Sequence, residues 1–264
     1  TTGSTILADI EILPRGILWW RSFTHFIGGM GILVLANAIL PKAKDKSHYL
    51  LRAEVPGPMS DKYVPRLSAS SQISYCIYVA ITLIQVICLL FTGIELYDAF
   101  VISFSTAGTG GFAVKNASIA GYNNIAVEYI CSIFMLVFSV NFNVYFLIIT
   151  KKIKQALKSE ELHWFLAIVG GSVFLVTASV LGRFGFADAF RYSLFAVSST
   201  ISTTGFVTID YNIWPMFAKI IILLIMFCGA CAGSTGGGIK TTTFFALMQE
   251  VKAVFTKRRP DAFH

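Results

Sequence analysis

Ser105-Thr106-Ala107-Gly108-Thr109-Gly110-Gly111-Phe112 and Ser199-Thr200-Ile201-Ser202-Thr203-Thr204-Gly205-Phe206 are two versions of one turn. The opening residues, Thr1-Thr2-Gly3-Ser4-Thr5, match its tail. Aligned, the three read Thr-Thr-Gly-Ser, Thr-Gly-Gly-Phe and Thr-Thr-Gly-Phe. Each full turn follows a short amphipathic segment, 97–107 or 187–199, and precedes a loop and a long apolar stretch. The short segments begin alike, Tyr97-Asp98-Ala99-Phe100 and Ala187-Asp188-Ala189-Phe190, with an Asp placed to cap free N–H groups in the first turn. The repeating unit is span, short helix, Gly/Thr turn, span. It occurs in full over 75–150 and 164–254, and residues 1–41 are expected to be the end of an earlier copy.

Composition decides the medium. Of 264 residues 55% are hydrophobic and 13% charged, with a mean hydropathy of +0.70. A soluble domain carries about 25% charged residues, so too few are present here to cover a water-facing surface. Disorder and collagen-like or disulfide-scaffold classes are excluded by the same counts. The chain reads as an all-α integral membrane protein. Stretches 17–40, 75–94, 125–150, 164–181 and 214–232 approach or exceed the roughly 20 residues a helical span needs, and a further apolar stretch covers 243–254. Segments 97–107 and 187–199 are too short to span, which suits re-entrant helices.

Charge sets the orientation. Residues 42–66 hold six Lys or Arg, 151–158 hold four and 252–259 hold four, together 14 of 21. The positive-inside rule makes these three loops cytoplasmic, and counting the two short segments as re-entrant puts all three on one side. The net charge of +7 is thereby explained by topology, without nucleic acid. The expected divisions are 1–41, the cytoplasmic loop 42–70, 71–152 and 153–264.

The Gly/Thr turns carry the chemistry. Irregular backbone at membrane depth is tolerated only where protein buries it or water wets it. Gly reaches φ > 0 and lets successive carbonyls face one way, while Thr adds hydroxyl oxygens. A ring of such turns offers hard oxygen ligands to a dehydrated alkali cation. The expected ion-binding residues are Thr2, Gly3, Thr109, Gly110, Gly111, Phe112, Thr203, Thr204, Gly205 and Phe206, with K+ held at Thr2, Gly3, Gly110, Gly111, Thr204 and Gly205.

A second irregularity interrupts the last span. Gly229 to Gly238 contains five glycines in ten residues, each costing a helix about 1 kcal/mol against Ala. An unwound gate is expected at Gly233, Ser234, Thr235, Gly236, Gly237, Gly238 and Lys240. Lys240 either snorkels toward the cytoplasm or acts electrostatically in the gate. The spacing is not that of a phosphate-binding loop, and no strand precedes it. Gly28-Gly29-Met30-Gly31 reads as a close-packing face, and His25, with Arg21 and Thr24, as a satisfied interfacial histidine. Asn141 and Asn143 either line a cavity or bond between helices. Cys76, Cys88, Cys131, Cys228 and Cys231 lie in apolar runs and read as buried thiols. The four histidines and the carboxylates form no intramembrane hydrolase constellation, so an enzyme is not expected. A non-conducting scaffold or assembly subunit is the alternative to a pore.

Three motifs together resemble a known family. They are Trp20-Arg21-Ser22-Phe23-Thr24-His25-Phe26-Ile27-Gly28-Gly29-Met30-Gly31, Arg52-Ala53-Glu54-Val55-Pro56-Gly57-Pro58-Met59-Ser60-Asp61-Lys62, and Cys231-Ala232-Gly233-Ser234-Thr235-Gly236-Gly237-Gly238-Ile239-Lys240. The chain resembles the TrkH-type potassium-uptake subunits of the Trk/Ktr/HKT superfamily over essentially its whole length. The resemblance implies four span–pore helix–span repeats around one pore, usually in a homodimer in the bacterial inner membrane. It implies one filter glycine per repeat, matching Gly3, Gly111 and Gly205, and an intramembrane gating loop at 229–238. It also implies regulation by a TrkA-like cytoplasmic nucleotide-binding subunit facing the basic loops. Gly3, where sodium-passing relatives carry Ser, favours potassium. Channel-like conduction and proton- or sodium-coupled symport both stay open. The first span and pore helix of the first repeat, and all of the fourth, are absent from these residues, so the chain is expected to be part of a longer protein.

Overall fold

The computed structural model describes residues 3–31 and 67–241, with Thr243 and Leu247. Among them the regular structure is entirely helical. Helix α1 covers Arg15–Gly29, α2 Leu67–Leu90, α3 Leu96–Ala107, α4 Ile125–Ser139, α5 Phe142–Ile149, α6 Ile153–Ala156, α7 Glu160–Val180, α8 Phe186–Ile201 and α9 Met216–Cys228. Short 3-10 turns at Ser118–Tyr122 and Tyr211–Ile213 precede α4 and α9.

Among the described residues two helices are long and apolar enough to cross a membrane by themselves, Gln72–Leu90 within α2 and Glu160–Val180. The short helices α3 and α8 pack on them and on their neighbours: α3 on α1, α2 and α4, and α8 on α4, α7 and α9. Leu89, Ile102, Ile119, Cys131, Met135, Phe195 and Phe206 fill one core between α2, α3, α4 and α8. A second core joins Val169, Val176 and Val180 of α7 to Ala189, Ala196 and Val197 of α8 and Ile221 and Ile225 of α9. The two short helices are thus wrapped by long ones, and the turns at their C-termini are held inside the protein.

The single span expected over 125–150 is instead α4 and α5, bent by 90° at Val140 and Asn141. No Pro or Gly sits there. Asn141 restarts the chain by accepting the Asn143 N–H at 2.9 Å as an N-cap. It also donates to Glu161, so of the two open readings for Asn141 the bonding one describes it. The helix of the 17–40 stretch stops at Gly29, with Gly31 at φ +71°. The rest of that stretch, the loop 42–66, Thr2 and nearly all of 243–254 fall outside the described residues. The expected caps also differ. Glu95 and Gly185 occupy the N-cap positions of α3 and α8, with no side-chain cap bond. Asp98 lies in the first turn of α3, and Asp188 pairs with Arg191 at 3.0 Å.

Candidate functional site

The turns after α3 and α8 are built alike. Gly108, Thr109 and Gly110 donate their N–H groups to the carbonyls of Phe104, Thr106 and Ser105 at 3.0, 3.0 and 2.9 Å. Ser202, Thr203 and Thr204 donate to Ser198, Thr200 and Ser199 at 3.1, 3.1 and 3.0 Å. Left-handed backbone then alternates with ordinary backbone. Thr109 and Thr203 lie at φ +50° and +59°, Gly111 and Gly205 at +76° and +85°, and the residue between each pair is not left-handed. Such alternation gathers successive polar backbone groups on one side. A β-branched residue in this region costs about 1–2 kcal/mol, so surrounding contacts must hold it there. They do: the Thr109 hydroxyl donates to the Thr235 carbonyl at 3.0 Å, and the Thr203 hydroxyl accepts the Gly237 N–H at 2.7 Å.

The three turn glycines stand in a series. A Cβ on Gly3 would strike the carbonyl oxygen of Gly110, and a Cβ on Gly111 would strike that of Thr204. Gly205, third in the series, faces open space. Gly3 and Gly111 therefore each let a carbonyl of the next turn come close. The stretch after Gly3 is tied down by Asn116, whose side chain accepts the Ile10 N–H at 2.9 Å and donates to Asp9 at 2.7 Å. Its N–H donates to Glu11 at 2.9 Å. The Asn116 amide, then the Glu11 backbone N–H, hold the Asp9 carboxyl below its usual range.

Behind the first turn lies α1. His25 is buried and stacks on Phe112 at 4.1 Å between centroids, while the Arg21 guanidinium sits 4.0 Å from the centre of the Phe112 ring. Histidine here is part of the turn's packing rather than an interfacial residue. A Cβ on Gly110 would strike the imidazole, and one on Gly108 the His25 carbonyl. Gly29, in the glycine stretch read as close-packing, touches Gly108 in the same way. In the second turn hydroxyls take those places: Ser202 and Thr204 share a 2.6 Å hydrogen bond. Phe206 is 1% exposed and its ring belongs to the core, while its carbonyl accepts from Ser199 at 2.7 Å.

The glycine-rich stretch 229–240 has no regular helix. Helix α4, ending at the bend, leaves C-terminal carbonyls without helical partners. Those of Ser139 and Phe138 accept the N–H groups of Cys231 and Thr235 at 3.0 and 3.3 Å. The Thr235 hydroxyl also donates to Phe138, and the Phe142 N–H at the start of α5 donates to Gly233 at 3.0 Å. The bend and the broken stretch thus complete one another, pressed against the threonines at the base of both turns. Lys240 is 6% exposed and donates to the Gly236 carbonyl. It folds back on its own loop and does not snorkel.

Two groups escaped the sequence reading. Glu161, in the first turn of α7, accepts the Ala232 N–H at 2.6 Å and an Asn141 amide N–H at 3.3 Å. Nothing near it in sequence announces partners 71 residues away. Arg191 of α8 pairs with Glu128 of α4 at 3.0 Å, both largely buried. Here a signal existed, since a charge inside an apolar short helix needs a partner. All five cysteines are free, but only Cys131 and Cys231 are buried as expected; Cys88 and Cys228 are half-buried and Cys76 is exposed. Among the described residues no group of three His, Cys, Asp or Glu side chains could hold a metal ion, so the oxygens gathered at the turns are carbonyls and hydroxyls.

Apolar helices enclosing irregular, oxygen-rich backbone are the build of an integral membrane protein. A model of the TrkH family, described as a cation transport protein, matches residues 1–262, and the chain belongs to that family. It is 36% identical over 96% of its length to the Trk system potassium uptake protein TrkG of Escherichia coli strain K12, covering 53% of that relative. It is 32% identical over 95% of its length to TrkH of Halomonas elongata, again covering 53%. The crystal structure of the potassium transporter TrkH from Vibrio parahaemolyticus matches 99% of this chain with a TM-score of 0.80 at 29% identity, over 55% of that protein. The chain spans about half the length of the relatives it matches.

Proposed function

We propose that this chain forms a large part of a potassium-uptake pore in a bacterial inner membrane, with the Gly/Thr turns as selectivity filter and 229–240 as its gate. The observation that carries the reading is the series of turns. Gly3 meets the Gly110 carbonyl and Gly111 meets the Thr204 carbonyl, in a backbone that alternates left-handed residues at the same positions of both full turns. Potassium sheds water at the carbonyls of Gly3, Gly110, Gly111, Thr204 and Gly205, with oxygens of Thr109 and Thr203 below and Thr2 as a further ligand by its place in the motif. The inward-negative potential contributes about 2.3 kcal/mol per charge per 100 mV. Helices α3 and α8 are the pore helices of the second and third repeats, and a fourth turn beside Gly205 completes the ring.

The loop 229–240 crosses the path on the side of Thr109 and Thr203 and moves to open it. Lys240, whose charge stays with the loop, opposes cation passage while the loop is closed. The names of the relatives, both Trk potassium uptake proteins, support the choice of ion. The protein works as a homodimer with a TrkA-like nucleotide-binding subunit on its basic cytoplasmic face.

Rubidium and sodium flux into liposomes through the full-length protein, with and without Gly111→Asp, tests the reading. Rubidium passage abolished by the substitution is expected, because the new side chain meets the Thr204 carbonyl. Unchanged flux in Gly111→Asp would overturn the filter assignment.

A further inference from the structure

The loop 229–240 has only a few bonds within itself, among them Ala230 N–H to Gly237, Ser234 to Cys231 and Lys240 to Gly236. Its glycines favour no regular conformation, so its position is set by the groups that bind it. Three of these belong to the wall: the carbonyls of Phe138 and Ser139, the Phe142 N–H, and the hydroxyls of Thr109 and Thr203. The fourth is different in kind. Glu161 is a carboxylate, and it is the one acidic side chain that reaches the loop among the described residues. One of its oxygens takes the Ala232 N–H at 2.6 Å, with the Thr241 hydroxyl at 3.5 Å, and the other takes the Asn141 amide at 3.3 Å. A single side chain therefore clamps both ends of the loop and the bend between α4 and α5. Hydrogen bonds to an ionised acceptor are about twice as strong as neutral ones.

Position adds the second half of the argument. Glu161 is two residues past Ser159, whose hydroxyl caps α7 by accepting the Leu162 N–H. Immediately before it runs the basic segment Lys151, Lys152, Lys154 and Lys158. The wall contacts are made by backbone or by short hydroxyls of the packed core. The Glu161 contact alone hangs from a helix end joined directly to an exposed, charged segment.

We propose that Glu161 is the latch of the glycine loop, a positioning residue that holds the loop closed and through which movement of segment 150–159 releases it. This rests on the reading of 229–240 as a gate. The latch itself is a statement about where the loop sits, and it has a readout that needs no ion flux. Cys231 lies beside Ala232 and is 1% exposed. A version of the full-length protein retaining only this cysteine reports loop opening through its rate of reaction with a charged thiol reagent.

Loss of one charge-assisted bond to the closed state corresponds to about a ten- to hundredfold shift in the closed-to-open ratio. Glu161→Ala is therefore expected to raise both rubidium flux and Cys231 labelling by about tenfold or more. Glu161→Gln, which keeps an acceptor oxygen, should give a smaller rise, and Asn141→Ala, which removes one arm, a smaller rise too. Glu160→Gln removes the same charge from the same helix turn without touching the loop and should change neither. Faster labelling in Glu161→Ala without rubidium flux in any version would uphold the latch and overturn the pore. Normal parental flux with labelling unchanged in both Glu161→Ala and Asn141→Ala would uphold the pore and overturn the latch. Equal acceleration by Glu160→Gln would also overturn it, since bulk charge at the helix end would then suffice.

Discussion

The turn at 105–112 and the turn at 199–206 share their hydrogen bonds and their alternation of backbone, yet they are filled differently. In the first, Gly108 and Gly110 leave room for His25 of α1. In the second, Ser202 and Thr204 occupy the same two places and bond to each other. The helices leading in differ as well: α3 has 12 residues and α8 has 16, so the two Asp-containing helix starts are four residues nearer in sequence than the turns are. The geometry near the glycines is common property, while everything behind it is negotiated locally. Gly110 is a matched cavity for an imidazole, and the missing hydroxyl is a consequence of that fit.

The sharpest way to break this comparison is to make the first turn like the second. Gly110→Thr drives a side chain into the His25 ring, backed by the rigid turn, and is expected to cost about 3 kcal/mol, the upper part of the usual overpacking range. Thermal unfolding in detergent should show the loss, and His25→Ala in the same protein should restore much of it. Failure of the rescue would mean that Gly110 is required for its backbone and not for the space it leaves.

A smaller effect separates the two left-handed glycines. Both Gly111→Ala and Gly205→Ala carry about 1–2 kcal/mol of backbone strain, but only the first also meets a carbonyl, that of Thr204. Gly111→Ala is thus expected to lower the melting temperature more. Equal losses in the full-length protein would mean that another segment faces Gly205 as Thr204 faces Gly111. Thr204→Val tests the hydroxyl pair of the second turn and should cost about 1 kcal/mol, with nothing comparable available in the first.

The smallest effect concerns the tether after Gly3. The Asp9 carboxyl titrates below its ordinary value of 3.8. The bond to Asn116 is therefore fully present above about pH 4 and is lost as pH falls through the lowered value. Proteolysis near residues 5–12 should accelerate only below that pH, and Asn116→Ala should remove the pH dependence.

How much of this was readable follows from where each signal lies. The short helices and their turns were legible because length, amphipathicity and the Thr-Gly motif are local. The apolar stretches 75–94 and 164–181 were legible as helices long enough to span for the same reason, whereas the 214–232 stretch gives only the 13-residue α9. The bend at Val140 was not legible, because Ser139, Asn141 and Asn143 are too brief a polar interruption of 125–150 to signal it, and the carbonyls it frees are met by N–H donors far along the chain, at Cys231 and Thr235. Lys240 left two readings open, and the structure removes the snorkelling one by burying the ammonium against Gly236. Glu161 looked like an ordinary helix-start carboxylate, and its role exists only in three dimensions.

The bend has a consequence for the order in which the protein is made. Its partners at 231–235 lie roughly 90 residues downstream, about 5–20 s of synthesis at ordinary ribosomal speed. Until they emerge, the freed carbonyls at the end of α4 would stand unpaired in lipid, at a cost of several kcal/mol each. A straight 125–150 helix avoids that cost, so the nascent chain should insert this stretch as one uninterrupted crossing and fold it over only when the glycine segment arrives. Engineered crosslinks or glycan acceptors after residue 150, in chains stalled near residue 200 and near residue 264, would catch the two arrangements. An unbent helix in neither would place the bend at the moment of insertion.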